Sequence, residues 1–329
     1  MPNADFWQRR RVLVTGATGV LGSWLTLRLL ALGADVVALV RDAVPHSLLV
    51  QQGGLAQVSV VHGDLNTPDL LARIFVEYEI DTCFHLAAIT TVGIGNVSPL
   101  LTFETNVRGT WQVLEAARRS PRTRAVVVAS TDKVYSPAAV APYSEDSAVA
   151  AGQPYGASKL AAEEIARSYA VTYGLPVAIT RCANLFGGGD LNWNRIVPGT
   201  IRSVLHGETP VIRSDGTPQR DFIYLADAVE ANLRLAEALD DPQMSGEVFN
   251  FGQDRPVSVL EMVDAIVRLA DRPGLTPKVL GQVTGELQQQ FMSSARARTL
   301  LGWQPHYDFE SALRETIAWY DAFFARKLA

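Results

Sequence analysis

Cysteine is scarce: the 329-residue chain holds only Cys83 and Cys182. Two cysteines make no disulfide framework, and both lie in apolar, strand-like surroundings that predict buried thiols in a reducing compartment. Charge of one sign is also lacking. Lys and Arg number 29 against 34 Asp and Glu, a formal net charge of −5, which excludes a general attraction for nucleic acid or anionic lipid. No apolar run approaches the length of a bilayer span, and MPNADFWQRRRVLVTG leads into a strand-like segment without an apolar signal region. The five histidines, at 46, 62, 85, 206 and 306, show no metal-ligand spacing. No G-x-x-x-x-G-K-[ST] loop is present, so nucleotide hydrolysis is not indicated. These absences predict a cytoplasmic globular enzyme without a metal, with neither a nucleic-acid nor a membrane partner.

What is present is an alternation. Short Val- and Ile-rich runs at Val12–Val14, Val36–Val40, Val58–Val61, Cys83–Leu86 and Ala125–Ala129 suit strands buried on both faces. Between them Val20–Leu32, Pro68–Tyr78 and Pro99–Arg119 are long enough for helices. Pro68 and Pro99 suit first-turn positions, and Asn66, Thr67 or Ser98 could cap. A helix over Gly156–Tyr173 leads to a strand at Val177–Cys182, and helical patterns return at Ala226–Leu239, Ser258–Ala270 and Phe309–Arg326. This rhythm predicts an α/β fold, a Rossmann-type doubly wound parallel sheet with a smaller α/β substrate-binding domain. The first domain spans residues 1–183, with part of 221–252 crossing back into it, and the second spans 184–329.

The first strand runs into Gly16-Ala17-Thr18-Gly19-Val20-Leu21-Gly22, where a helix begins. Gly16 permits a sharp turn, Gly19 admits a pyrophosphate to the backbone, and Gly22 allows close helix–strand packing. The helix N-terminus adds free N–H groups and positive dipole. Arg41 and Asp42 end the second strand and give opposed signals. An acidic group there suits the ribose hydroxyl of NAD, and an arginine the 2′-phosphate of NADP. Asp64, in His62-Gly63-Asp64-Leu65, either reaches the adenine or belongs to an ordinary turn.

Tyr155 and Lys159 lie four apart on one helix face. A cation beside a phenol lowers its pKa, and the pair then takes a proton from a substrate hydroxyl while a nicotinamide takes the hydride. Ser130-Thr131-Asp132-Lys133 ends the fifth strand, where side chains face the ligand crevice of a parallel sheet. Thr131 there would share the substrate hydroxyl with Tyr155.

With these residues in view the chain resembles the extended short-chain dehydrogenase/reductases, the epimerase/dehydratase superfamily acting on nucleotide sugars. The resemblance rests on the glycine loop, His85-Leu86-Ala87-Ala88, Asn106-Val107-Arg108-Gly109-Thr110, Ser130-Thr131-Asp132 and Tyr155/Lys159. It extends through Arg181-Cys182-Ala183-Asn184, Gln219-Arg220-Asp221-Phe222 and Leu301-Gly302-Trp303-Gln304-Pro305. Phe6-Trp7-Gln8, Ser23-Trp24-Leu25, Thr131-Asp132-Lys133 and the Asn184–Asp190 segment are most similar to CDP-glucose 4,6-dehydratases.

The resemblance implies a nucleotide-diphosphate hexose as substrate and a 4-keto-6-deoxy product, with Thr131, Asp132, Lys133, Tyr155 and Lys159 as catalytic residues. It implies cofactor contacts from Gly16, Thr18, Gly19, Val20, Leu21, Gly22, Arg41, Asp42, Asp64, Leu65, Leu86, Ala87, Ala88, Asn106, Tyr155 and Lys159. Thr131, Asn184, Arg195, Arg213 and Arg220 would hold the substrate. NAD is the expected cofactor, because Asp42 aligns with the acidic position of the CDP-glucose group; NADP is the alternative. Arg220-Asp221-Phe222-Ile223-Tyr224 departs from the Trp-Gln-His type segment of those dehydratases, which leaves the base open. A 4-epimerase using the same Tyr155/Lys159 pair is the competing activity. A homodimer through Pro99–Arg119 and Gly156–Tyr173 is expected, although their apolar residues would equally suit a core.

Overall fold

The computed structural model describes residues 3–282 and 287–328. Seven strands, β1 (Arg11–Thr15), β2 (Asp35–Val40), β3 (Ser59–His62), β4 (Thr82–His85), β5 (Ala125–Thr131), β6 (Val177–Cys182) and β7 (Val248–Phe251), form one sheet in the order β7-β6-β5-β4-β1-β2-β3. Every pair is parallel. Alternate residues of β1 show why its sequence is continuously apolar. Val12 and Val14 pack toward one core with Leu25 and Leu29 of α1 (Val20–Ala31), while Leu13 faces a second core. That second core holds α2 (Leu70–Glu77), α3 (Gly109–Arg119) and α4 (Pro154–Tyr173). Cys83 and Cys182 are buried free thiols, as their apolar contexts predict.

Chain order reverses at β1, which has β2 on one side and β4 on the other. In open α/β sheets a ligand crevice lies at the carboxyl ends of the strands beside such a reversal. After β6 the chain leaves the sheet, pairs Asn184–Phe186 with Phe222–Tyr224, and returns through α5 (Leu225–Ala238) to add β7 at the edge. A third core, with Ile201, Tyr224, Met262, Ile266, Leu313 and Tyr320, fills the second lobe beneath α6 (Phe309–Leu328).

Two helices differ from the sequence expectation. The Pro68–Tyr78 helix begins only at Leu70, after Asp69 in a left-handed conformation with φ 58°. Residues 64–67 form local turns instead: Asn66 N–H donates to Asp64 Oδ1 at 2.9 Å, and Asp64 N–H to Thr67 Oγ1 at 3.3 Å. Pro68 therefore precedes the helix, and neither Asn66 nor Thr67 caps it. The single helix expected over Pro99–Arg119 is α-helical at Pro99–Phe103, widens to a π turn at Glu104–Arg108, and resumes as α3. The Thr110 hydroxyl takes the Asn106 carbonyl at 2.6 Å, and the Asn106 side chain is drawn inward to 1% exposure. Wide turns of this kind are frequent at functional sites.

Candidate active site

The glycine loop joins β1 to α1 with no room to spare. Gly16 has φ +74°, and a Cβ there would meet Ala87 N at 2.8 Å; one on Gly22 would meet the Gly16 carbonyl at 2.0 Å. Gly19 caps α1 without a side chain over the helix end, so the first-turn N–H groups face the crevice. Ala87 N–H donates to Thr15 Oγ1 at 3.2 Å, which pins the Leu86–Ala88 segment beside the loop. Narrow backbone walls and an uncapped twelve-residue helix fit a dinucleotide pyrophosphate. Thr18, Val20 and Leu21 lie at the mouth of this turn, partly exposed.

At the far end of the crevice Arg41 Nε lies 2.7 Å from Asp42 Oδ2 and Arg41 Nη1 lies 3.8 Å from Asp64 Oδ2. The three charges form one exposed group at the ends of β2 and β3, so the opposed signals belong to a single ion-paired cluster. Leu65 is buried against Gly109, where a Cβ would meet its Cδ1 at 2.7 Å.

Asn106 is held by hydrogen bonds within the protein. Its Oδ1 accepts from Ile89 N–H at 2.8 Å, and its Nδ2 donates to the Ile89 carbonyl at 3.0 Å and to Ser158 Oγ at 2.9 Å. Both amide hydrogens are used inside the protein, so Asn106 braces the segment after β4 against α4. Ser158, whose hydroxyl donates to the Tyr155 carbonyl at 2.7 Å, completes the brace. His85 bridges Thr15 and Thr110 through its two ring nitrogens, and burial holds it neutral, pushed down to about 3.

Thr131, Asp132, Lys133, Tyr155 and Lys159 come together at the carboxyl end of β5. The Thr131 hydroxyl donates to Asp132 Oδ1 at 3.1 Å and Lys133 Nζ donates to the same oxygen at 3.0 Å. Lys133 Nζ also donates to Asn184 Oδ1 at 3.3 Å. Asp132 is 2% exposed, and its Oδ2 is buried without a partner. Tyr155 does not show the lowered pKa expected of it. Burial pushes the phenol up to about 12, against an opposing hydrogen bond with Thr131. Lys159 Nζ is turned to the Ala129 carbonyl at 2.7 Å, and burial lowers it to about 8 while Glu163 draws it back. At Tyr155 desolvation outweighs the Thr131 hydrogen bond and the Arg195 cation.

On the substrate side, Arg195 pairs with Asp190 at 2.9 Å and is close enough to Tyr155 to favour its phenolate. Asn184 Nδ2 donates to the Asp221 carbonyl at 3.0 Å, so this residue ties Lys133 to the Asp221 backbone. Arg220 donates through Nη1 to the carbonyls of Gln219 and Leu287, both at 2.8 Å, and its charge acts on Tyr143. Arg213 is exposed beside the short Val211–Ile212 strand and joins no other predicted site residue through a hydrogen bond or ion pair. Asp221 was not singled out from the sequence as a site residue. It is fully buried, with one oxygen on Gln253 N–H at 3.0 Å and the other unpartnered. Burial pushes it up to about 8, with Asp254 and Asp132 adding to the effect.

The NAD dependent epimerase/dehydratase family model matches residues 12–252. The chain belongs to this family. A dTDP-glucose 4,6-dehydratase of Xanthomonas campestris pv. campestris is 31% identical, over 94% of this chain and 92% of the relative. A CDP-glucose 4,6-dehydratase of Salmonella typhimurium is 28% identical over 98% and 93%, and a UDP-glucose 4-epimerase of Halalkalibacterium halodurans 28% identical over 94% and 95%. Among solved structures, a UDP-glucose 4-epimerase of Thermotoga maritima with UDP-glucose superposes with TM-score 0.85 and 25% identity, covering 97% of this chain and 100% of its own. A dTDP-glucose 4,6-dehydratase of Bacillus anthracis in complex with NAD gives TM-score 0.81 and 27% identity, covering 95% and 97%. This family member is thus an enzyme of the nucleotide-sugar dehydratase and epimerase group, with the Rossmann-type fold and NAD as cofactor.

Proposed function

We propose that the protein is a 4,6-dehydratase converting a nucleotide-diphosphate hexose to its 4-keto-6-deoxy form. The observation that carries this reading is the pairing of the half-buried Lys133 with the buried Asp132, joined through Thr131 to Tyr155. An epimerase needs no second acid–base pair; elimination across C5 and C6 needs both an acid and a base. Moving one proton along the 3.0 Å bond from Lys133 Nζ to Asp132 Oδ1 turns the ion pair into a neutral amine and a carboxylic acid.

NAD, when bound, accepts the hydride of sugar C4 and later returns it to C6. Tyr155 must be a phenolate to take the 4-hydroxyl proton, a form that Arg195 and the Thr131 hydrogen bond favour against burial and that the positive charge of bound NAD would favour further. The resulting ketone acidifies C5, and Lys133 removes that proton. Asp132 protonates the departing 6-hydroxyl, which leaves as water. Thr131 lies between Tyr155 and Asp132, so the proton taken from the 4-hydroxyl has a path to recharge Asp132. Lys133 then returns a proton to C5, and each group ends as it began.

The cofactor half is residues 1–183 with part of 221–252, and the sugar-nucleotide half is 184–329. Arg195, Arg213 and Arg220 would meet the diphosphate, for which a guanidinium fork is suited. The second reading, a 4-epimerase, is favoured by the epimerase relatives and predicts that Asp132 and Lys133 are dispensable. Asp132→Asn and Lys133→Met decide between them. Dehydration should be lost in both, and full dehydration in either would overturn the assignment.

The protein would work in the cytoplasm as a homodimer. Leu100, Val171 and Tyr173 are 73%, 86% and 56% exposed on the two expected helices, a surface rather than a core.

A further inference from the structure

Behind the crevice a buried polar chain joins the two halves of the catalytic site. Glu163 lies one turn after Lys159 on α4, and its carboxylate takes Arg181 Nη2 at 2.6 Å and Nε at 3.0 Å. Arg181 Nη1 donates to the Tyr135 hydroxyl at 3.0 Å, and its guanidinium lies 4.8 Å from the centre of the Tyr135 ring. That hydroxyl donates onward to Asn250 Oδ1 at 2.7 Å, on β7. Glu163, Arg181, Tyr135 and Asn250 are all buried, at 4% exposure or less. Tyr135 directly follows the single 3-10 turn Asp132–Val134, and its N–H closes that turn on the Asp132 carbonyl at 3.3 Å. We infer that Tyr135 is a positioning residue for the elimination half of the reaction, its hydroxyl locking the Asp132–Lys133 turn to the Arg181–Glu163 pair and so to the helix that carries Tyr155 and Lys159.

The inference rests on the dehydratase reading. Four buried polar groups with mutually satisfied hydrogen bonds make a rigid link, because releasing any one leaves its partner unsatisfied away from water. Tyr135 and Arg181 are buried, so they act through the residues they hold. The turn needs such a link because Lys133 and Asp132 must meet C5 and the 6-hydroxyl while Tyr155, on another element, holds the 4-hydroxyl. A small misplacement of one group relative to another is costly in such a constellation.

The test is Tyr135→Phe, which keeps the ring beneath Arg181 and deletes only the hydroxyl. The variant is assayed with substrate deuterated at C4 and, separately, at C5. We expect kcat to fall on the order of tenfold, with a deuterium effect from C5 and none from C4, and KM within about twofold. An isotope ratio is read on the folded fraction, so partial unfolding does not mimic this pattern. Wild-type kcat, or a loss whose isotope effect comes from C4, would overturn the inference. If the wild-type protein forms no 6-deoxy product from any hexose nucleotide, the dehydratase reading fails and takes the inference with it. Product from wild type without the C5 pattern in the variant refutes the inference alone.

Discussion

The carbonyl oxygen of Lys133 packs against Gly156 so closely that a Cβ there would lie 2.6 Å from it. The turn bearing the acid–base pair thus rests on the first turn of the helix bearing Tyr155, with only a hydrogen between them. Gly156→Ala should push the turn away, also meeting Ala151 Cβ at 2.9 Å. We expect a loss of about 1–3 kcal/mol in stability and a larger proportional loss of turnover. Thermal denaturation and steady-state rates on the same preparation check this; unchanged turnover would refute the contact's importance.

Gly22→Ala places a methyl 2.0 Å from the Gly16 carbonyl. The loop must open, and NAD affinity should fall roughly tenfold or more. Titration calorimetry reads this without reference to turnover.

Glu163 and Arg181 form a buried ion pair 2.6 Å apart. Glu163→Gln leaves Arg181 charged and unmatched, so unfolding should become easier by about 3–5 kcal/mol in denaturant titration. The same substitution removes the charge that holds the proton on Lys159, whose pKa is about 8. Activity that depends on the lysine cation is lost as pH rises through that value. In Glu163→Gln this alkaline limb should move to lower pH; a limb that stays in place would separate Lys159 from Glu163.

The strands were legible because a parallel sheet covered on both faces requires continuous Val and Ile, and β1 to β6 carry those runs. The glycine loop, Thr131–Lys133 and Tyr155/Lys159 were legible because their spacing is local. The late start of α2 was hidden by side-chain turns at Asp64 and Thr67, which compete with a helix for the same backbone. Tyr135 gives no local signal, since its partner Asn250 lies 115 residues away. Arg181 was visible as part of a motif, but its buried partner Glu163 was not. The raised Tyr155 pKa was missed because spacing reports neighbours, and burial, which dominates, is a property of the folded whole.

Asp221 has a folded pKa of about 8, above its ordinary 3.8. The folded state therefore binds this proton more tightly than the unfolded chain, and the associated stability is present below the unfolded value and lost as pH rises through about 8. Asp221→Asn removes that dependence. Relative to wild type, the variant should gain stability steadily from pH 5 to pH 8 in melting experiments. A constant difference across that range would show that Asp221 is ionised throughout.

Val171 is 86% exposed and Leu100 73% exposed. A double substitution, Leu100→Arg with Val171→Arg, should give a monomer by sedimentation while wild type sediments as a dimer. A monomeric wild type would contradict the proposed interface.

The central claim is elimination across C5 and C6, and NMR of the purified protein in D₂O tests it most directly. CDP-, dTDP-, UDP- and GDP-hexoses are supplied in turn, without added cofactor. The account predicts, with one of them, a new 6-deoxy methyl signal and deuterium at C5. Inversion at C4 with the 6-hydroxyl retained would contradict it and leave the Asp132–Lys133 pair without a reaction.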